Sequence, residues 1–166
     1  CEYCTPGRYT ESGNLETNCS SCEVGYFTDE KGSLSCEACA TGKYQQASGE
    51  SDCETCPIGT YAPRSGSSSC TICEAGKYAD QIGSLSCSKC AAGTAQRASG
   101  SSQCSLCPPG KISSASGQSF CYSCEPGKYA AEEGASKCID CSAGRISKNR
   151  NSTRCEACNS GRFQSG

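Results

Sequence analysis

Histidine is absent from this chain of 166 residues, and large aliphatic side chains are scarce. Without histidine and without a serine-centred catalytic motif, we expect no enzymatic activity, and no Cys-x-x-Cys pair can be followed by the histidine of a c-type haem site. Leu, Ile, Val and Phe together number 14 of the 166 residues, or about 8%. A chain with less than roughly 20% of these residues usually fails to build an apolar core. Cross-links must therefore take the place of a core.

The given residues contain no methionine, and we identify no signal-peptide pattern or transmembrane run among them. The formal net charge is −2, so the chain lacks the strongly basic face that nucleic-acid binding requires. We therefore predict no nucleic-acid partner and no direct membrane insertion of this segment. The chain opens on Cys1 and stops inside a tenth repeat at Gly166, and we expect it to be a processed product or a stretch of a longer array.

Cysteine is abundant, with 20 residues in the chain. This density is typical of a disulfide scaffold and predicts an oxidising compartment, reached through the secretory pathway, at the cell surface or outside the cell. The two glycosylation sequons at Asn18 and Asn151 agree with this location, although Cys19 occupies the middle position of the first.

The cysteines form Cys-x-x-Cys pairs at a regular spacing. After a first step of 18 residues, every later step is 17. The pairs begin at Cys1, Cys19, Cys36, Cys53, Cys70, Cys87, Cys104, Cys121, Cys138 and Cys155. A fixed period indicates an array in which each repeat buries its faces against its neighbours. We interpret residues 1–166 as one continuous array.

A repeat is framed here from the second Cys of one pair to the first Cys of the next, as in Cys39–Cys53. Glycine always stands three residues after the opening Cys, and an apolar residue stands five residues after it. We interpret the aromatic residues at this place as repetitive core packing, with a ligand-binding ladder as the alternative. They are Tyr9, Phe27, Tyr44, Tyr61, Tyr78, Tyr129 and Phe163, whereas Ala95, Ile112 and Ile146 depart from the pattern.

A second glycine recurs ten residues after the opening Cys, as at Gly49 and Gly66, and Asn151 takes this place in the ninth repeat. Asparagine tolerates the left-handed region best among the other residues, so the substitution predicts a tight turn with positive φ. Each repeat is then a short irregular hairpin closed by cysteine at both ends. The predicted fold class is an elongated solenoid or rod of small disulfide-rich repeats, mostly coil and short strands with little helix.

Charge is unevenly distributed along the chain. Residues 1–83 hold 12 acids and 5 bases, for a net charge of −7, and residues 84–166 hold 5 acids and 10 bases, for +5. The simplest interpretation is that the charge varies by chance among solvated loops. The alternative is an array whose acidic and basic ends attract each other in head-to-tail association. A basic residue usually precedes the aromatic place, which predicts either a solvated face or a stripe that binds acidic glycans or a neighbouring fibre.

Two disulfide connectivities repeat simply. One connectivity groups consecutive Cys-x-x-Cys pairs in twos, with bonds such as Cys1–Cys19 and Cys4–Cys22. It uses all 20 cysteines and requires that odd and even repeats differ; the other closes each repeat on itself. We see no such alternation and favour the connectivity that closes each repeat on itself, which leaves Cys1 and Cys158 to bond outside this segment. Its bonds are Cys4–Cys19, Cys22–Cys36, Cys39–Cys53, Cys56–Cys70, Cys73–Cys87, Cys90–Cys104, Cys107–Cys121, Cys124–Cys138 and Cys141–Cys155.

Zinc is the chemical rival of the disulfides. The Cys-x2-Cys-x13-Cys-x2-Cys spacing lies just short of the range of four-thiolate zinc sites. Such sites would impose a two-repeat alternation, so we predict no metal and no cofactor. Thioredoxin-like redox chemistry is not expected either, because it uses one Cys-x-x-Cys at a helix N-terminus rather than ten.

The segment from Cys53-Glu54-Thr55-Cys56-Pro57-Ile58-Gly59-Thr60-Tyr61 through Gly66 to Cys70 and Cys73 resembles the ephrin-receptor-like cysteine-rich repeat, and the resemblance covers essentially the whole chain. The repeat is also similar to the single-disulfide module of tumour necrosis factor receptor ectodomains, which supports the bonds within each repeat. The resemblance implies an extracellular array. It implies neither kinase activity nor ephrin binding.

Two functions fit these observations. The first is a structural, rod-like extracellular spacer or filament component, whose partners are copies of itself or other fibre or matrix proteins. The second is a receptor or adhesin ectodomain that binds protein or glycan ligands. A metal-storing thiolate array is a third and weaker interpretation.

Overall fold

The computed structural model describes residues 3–11 and 18–158. Within this part of the chain there is no helix, and the regular structure consists of two-residue strands. The strands are β1 (Arg8–Tyr9), β2 (Ser20–Ser21), β3 (Tyr26–Phe27), β4 (Glu37–Ala38), β5 (Lys43–Tyr44), β6 (Glu54–Thr55), β7 (Thr60–Tyr61), β8 (Thr71–Ile72), β9 (Lys77–Tyr78), β10 (Ser88–Lys89), β11 (Thr94–Ala95), β12 (Ser105–Leu106), β13 (Lys111–Ile112), β14 (Tyr122–Ser123), β15 (Lys128–Tyr129), β16 (Ile139–Asp140), β17 (Arg145–Ile146) and β18 (Glu156–Ala157). The predicted class of small disulfide-rich repeats with short strands is confirmed.

Each strand pairs only with its neighbour in sequence, antiparallel, so that β1 pairs with β2, β3 with β4, and so on to β17 with β18. In the third repeat Tyr44 faces Glu54 and Lys43 faces Thr55. The Cys56 N–H then donates to the Gly42 carbonyl at 2.9 Å. The second strand of each hairpin is therefore formed by the two residues inside the Cys-x-x-Cys that ends the repeat.

Contacts between Cα atoms divide the chain into two compact bodies. The first body comprises Cys1–Cys73 and Ala79–Cys87, and the second comprises Glu74–Tyr78 and Ser88–Gly166.

A tight turn precedes the first strand of each hairpin. In the third repeat the Lys43 N–H donates to the Ala40 carbonyl at 3.0 Å, and Gly42 at the third position has a φ of +77°. A type II turn requires positive φ at this position and favours proline before it. Proline does precede the glycine in three repeats, at Pro6, Pro109 and Pro126.

A second turn lies at the far end of each hairpin. Gly66 has a φ of +73°, and the Ser67 hydroxyl donates to the Arg64 carbonyl at 2.8 Å, which closes the turn. Asn151, at the equivalent place of the ninth repeat, has a φ of +63° and is the one described non-glycine residue with positive φ. The predicted left-handed turn is confirmed at both residues.

In each body the buried interior consists of half-cystines with small side chains beside them. Cys39 and Cys56 are fully buried, as are the second cysteines of most other pairs. The residue after the aromatic place is also buried, for example Ala62 and Ser113.

The aromatic side chains themselves are only half-buried, as at Tyr44. Their packing function therefore stays a prediction, and the most buried side chains belong to other positions. Successive side chains of a chain segment in strand conformation point to opposite faces. The residue that follows the aromatic place therefore faces inward, where only small or slender side chains fit beside the disulfides.

Consecutive repeats are joined by backbone hydrogen bonds. The Gly42 N–H donates to the Ala62 carbonyl at 2.8 Å, and in the return direction the Gly66 N–H donates to the Cys39 carbonyl at 2.8 Å. The same two bonds recur elsewhere in both bodies, as from Gly93 to Ser113 and from Gly117 to Cys90. Stacking therefore uses peptide groups, which do not depend on the side-chain sequence.

Contacts also extend to the second repeat along. A Cβ atom built on Gly25 would lie 2.3 Å from the Gly66 carbonyl oxygen, and one on Gly93 would lie 2.0 Å from that of Gly134. Real Cβ atoms do not approach oxygen so closely, so only glycine fits. Contacts therefore extend beyond the neighbouring repeats that the fixed period predicts, because paired glycine turns let backbones two repeats apart meet.

Candidate functional site

Nine disulfides among the described cysteines close the repeats. Their pairs are Cys4–Cys19, Cys22–Cys36, Cys39–Cys53, Cys56–Cys70, Cys73–Cys87, Cys90–Cys104, Cys107–Cys121, Cys124–Cys138 and Cys141–Cys155. These are the pairs of the connectivity that closes each repeat on itself. The hairpin brings its opening and closing cysteines together, and each bond closes a loop of 14 or 15 residues. A loop of this length contributes about 3 kcal/mol by restricting the unfolded chain.

Two cysteines were expected to bond outside this segment. Cys158 is a half-exposed free thiol, and Cys1 lies outside the described residues. External bonding of either cysteine therefore stays a prediction.

The two sequon asparagines are both exposed. Asn18 is followed by Cys19, which is bonded to Cys4. Asn151 lies in the far turn of the ninth repeat, and its carbonyl oxygen would stand 2.1 Å from a Cβ built on Gly110. The Asn151 backbone is thus held in the stack while its side chain faces solvent.

The aromatic residues lie on the half-exposed side of the hairpins. The Tyr44 hydroxyl donates to Glu54 Oε2 at 2.6 Å across the strand pair. This hydrogen bond is the main reason that the pKa of Tyr44 is raised, with smaller contributions from desolvation and from the carboxylate charge. Half-burial is shared by Tyr9, Phe27, Tyr44, Tyr61, Tyr78 and Tyr129, and Phe163 lies outside the described residues.

The basic residues before the aromatic place differ in their contacts. Lys77 pairs with Glu74 at 2.9 Å, and this hydrogen bond holds the pKa of Glu74 below its usual value. Lys128 pairs with Asp140 at 3.0 Å across its hairpin. Arg145 donates instead to the Cys155 carbonyl at 3.4 Å. Part of the predicted basic stripe is therefore neutralised by nearby carboxylates.

A groove of about 340 Å³ interrupts the regular surface of the second body. Its walls are formed chiefly by Ala95, Arg97, Leu106, Pro108, Lys111 and Phe120. The Arg97 guanidinium lies over the Phe120 ring, 4.9 Å from its centroid, in cation–π geometry. We name this feature the Phe120 groove.

The repeat pattern identifies Ala95 only as a departure from the aromatic place, and it does not indicate Arg97 or Phe120 as site residues. A signal was present, because Phe120 is the one aromatic residue that directly precedes the first Cys of a pair. Its meaning could not be recognised without the distance to Arg97.

The fold and its disulfides define a cysteine-rich repeat module of the kind found in receptor ectodomains. The family model described as "Tyrosine-protein kinase ephrin type A/B receptor-like" matches residues 10–49, 42–86 and 110–158. The matched segments cover more than half of the chain, which therefore belongs to this family. No curated protein matches the chain.

The family and the many disulfides indicate an extracellular location. Among the residues that the structure describes, no helix has the length and apolar character needed to cross a membrane.

Residues 87–109, which contain Ala95 and Arg97, lie outside the matched segments.

Proposed function

We propose that this chain is a structural extracellular repeat protein, a rod-like spacer or a component of a filament, sheath or matrix at the cell surface. The observation that carries the proposal is the recurrence of the same inter-repeat hydrogen bonds, such as Gly42 to Ala62 and Gly66 to Cys39, in both bodies. A stack held by peptide groups can be extended by further repeats without new recognition residues.

The distribution of disulfides and carboxylates supports a structural rather than a catalytic function. Buried half-cystines supply covalent closure to the nine complete repeats, whereas the described carboxylates are scattered over strands and loops. With histidine absent from the chain, we propose that the protein is not an enzyme and that its partners are copies of itself or other matrix proteins.

The test of this function measures the shape and the assembly state of the purified, disulfide-bonded chain. Small-angle scattering should give a radius of gyration well above the roughly 15 Å of a compact chain of this length, and electron microscopy of native material should show fibres or sheets. A compact particle, or native material that is monomeric and dispersed, would contradict the proposal.

The second candidate is a receptor or adhesin ectodomain that binds protein or glycan. Membership of the ephrin-receptor-like family and the Phe120 groove favour it, because a spacer needs no unique surface. Native material found as a dispersed, elongated monomer would favour this candidate over the first.

Glycosylation would fit either function. Of the two sequons we expect Asn151 to be the modified one, because the side chain is exposed and no half-cystine lies between Asn151 and Thr153. Mass spectrometry before and after glycosidase treatment of the secreted protein distinguishes Asn151 from Asn18.

A further inference from the structure

Two regularities of the repeat are broken together at the Phe120 groove. Ala95 replaces the large residue found five positions after the opening Cys in every other repeat, which leaves space. Phe120 then supplies an aromatic ring at a place where the other complete repeats carry polar residues. Those residues are Asn18, Ser35, Asp52, Ser69, Ser86, Gln103, Lys137 and Arg154.

The groove is cationic, and its cations have no acidic partner in the part of the chain that the structure describes. Among the described residues, neither Arg97 nor Lys111 forms an ion pair, in contrast to Lys128 and Arg150. None of the described residues that line the groove is acidic. The sequence has no Asp or Glu at all from residue 81 to residue 124, so the positive potential here is uncompensated locally.

The groove also presents apolar surface to solvent. Phe120 is 47% exposed and Leu106 is 55% exposed, and Pro108 and Cys121 continue this surface along the wall. The volume of about 340 Å³ lies near the lower end of the range for ligand pockets, roughly 300–1,000 Å³. Covering Phe120 and Leu106 would remove apolar area from water, which favours binding.

We propose that the Phe120 groove binds an acidic segment of a partner protein, with a carboxylate against Arg97 and Lys111 and an adjacent apolar side chain against Phe120 and Leu106. A protein segment supplies both features within a few residues. An acidic polysaccharide supplies the charge but offers the apolar wall no comparable side chain. This proposal goes beyond a spacer function and does not depend on it.

The test is an NMR titration of the complete disulfide-bonded chain with the blocked tetrapeptide Glu-Leu-Glu-Leu. We expect saturable shifts confined to the residues that line the groove. The matched peptides Gln-Leu-Gln-Leu, without charge, and Glu-Gly-Glu-Gly, without apolar side chains, should each bind at least tenfold more weakly.

Variants of the chain locate the site. Ala95→Tyr restores the residue type found at this place in five other repeats, so the chain should fold, and the ring should fill the groove and weaken peptide binding at least tenfold. Arg97→Gln, at an exposed side chain, should weaken binding severalfold. The matched controls are Lys128→Gln, whose cation is already paired with Asp140, and Tyr129→Ala, which opens a gap in a repeat without Phe120; both should leave binding unchanged.

Three outcomes overturn the proposal. The acidic peptide gives no saturable shifts, or Ala95→Tyr and Arg97→Gln both bind it as tightly as the unaltered chain. Alternatively, a heparin oligosaccharide binds the unaltered chain and Ala95→Tyr equally, and more tightly than the peptide, which would make the surface a glycan-binding face.

Discussion

Gly42 and Gly83 are separated by 41 residues, yet a Cβ atom on Gly42 would lie 2.3 Å from the Gly83 carbonyl oxygen. The two glycines belong to repeats that are not consecutive. The same approach recurs at Gly76, where a Cβ would lie 2.1 Å from the Gly117 carbonyl oxygen. Glycine at this place therefore serves both its own turn and the packing of the second repeat along.

Replacing Gly76 by alanine should destabilise the chain more than replacing Gly144. Both glycines have positive φ, +80° and +78°, so both substitutions incur the left-handed strain of about 1–2 kcal/mol. Only Gly76 meets another backbone; no described residue lies within 4 Å of a Cβ built on Gly144. Overpacking should add about 1–3 kcal/mol at Gly76.

The measurement is the thermal unfolding of Gly76→Ala and Gly144→Ala, compared by calorimetry. The loss of unfolded-state entropy on Gly→Ala is shared by both variants, so it cancels in the comparison. Equal destabilisation would show that the contact with Gly117 contributes nothing.

Gly66→Val should destabilise the chain by about 1 kcal/mol or more relative to Gly66→Asn. The space around Gly66 is adequate, since the nearest atom to an added Cβ is the Tyr26 hydroxyl at 3.5 Å. The φ of +73° is therefore the main constraint, and a β-branched residue fits it poorly. Asn151 already adopts this conformation. If denaturant unfolding gives the same midpoint for both variants, the positive φ of Gly66 does not disfavour a β-branched residue, and this explanation is wrong.

Non-reducing peptide mapping should recover bonds within repeats, such as Cys39–Cys53. Cys158 has no disulfide partner among the described residues, and the same map shows whether it is bonded to a cysteine outside this segment, as predicted, or is alkylated without prior reduction. Removing the Cys39–Cys53 bond by paired serine substitutions should cost about 3 kcal/mol. Stoichiometric zinc in the purified protein, or bonds inside a Cys-x-x-Cys, would contradict this connectivity.

Glu54→Gln should bring the pKa of Tyr44 down toward its ordinary value, because the hydrogen bond to the Glu54 carboxylate is the main cause of the increase. A folded-state pKa above the unfolded value means that the contribution of this pair to stability is complete below the ordinary tyrosine pKa. It is lost as the pH rises through the raised value. Tyrosinate absorbance measures the titration, with Tyr44→Phe identifying the signal of Tyr44; an unchanged profile in Glu54→Gln would refute the assignment.

Self-association of the chain should increase as salt is lowered. Residues 1–83 carry a net charge of −7 and residues 84–166 a net charge of +5, and exposed charges are screened over about 10 Å at 0.1 M salt. Analytical ultracentrifugation across ionic strengths measures the effect. A sedimentation coefficient that does not change with salt would exclude charge-driven assembly and leave the ectodomain function as the better candidate.

Local features of the fold could be predicted because their causes lie within one repeat. The lack of alternation between odd and even repeats favours the pairing of Cys39 with Cys53, and the exchange of glycine for Asn151 indicates a turn with positive φ. The ephrin-receptor-like family could likewise be identified from the pattern of a single repeat, which includes Cys56, Gly59 and Tyr61. These inferences need no knowledge of how repeats are placed relative to one another.

Three features depended on the tertiary structure, because they arise from contacts between repeats. The interior belongs to Ala62 and its equivalents rather than to Tyr61, since stacking decides which face of a two-residue strand is covered. The approach of Gly76 to Gly117 requires the register of repeats that are not consecutive. Arg97 and Phe120 are 23 residues apart in sequence, and only the stacking of neighbouring hairpins brings the cation over the ring and opens a groove where Ala95 is small.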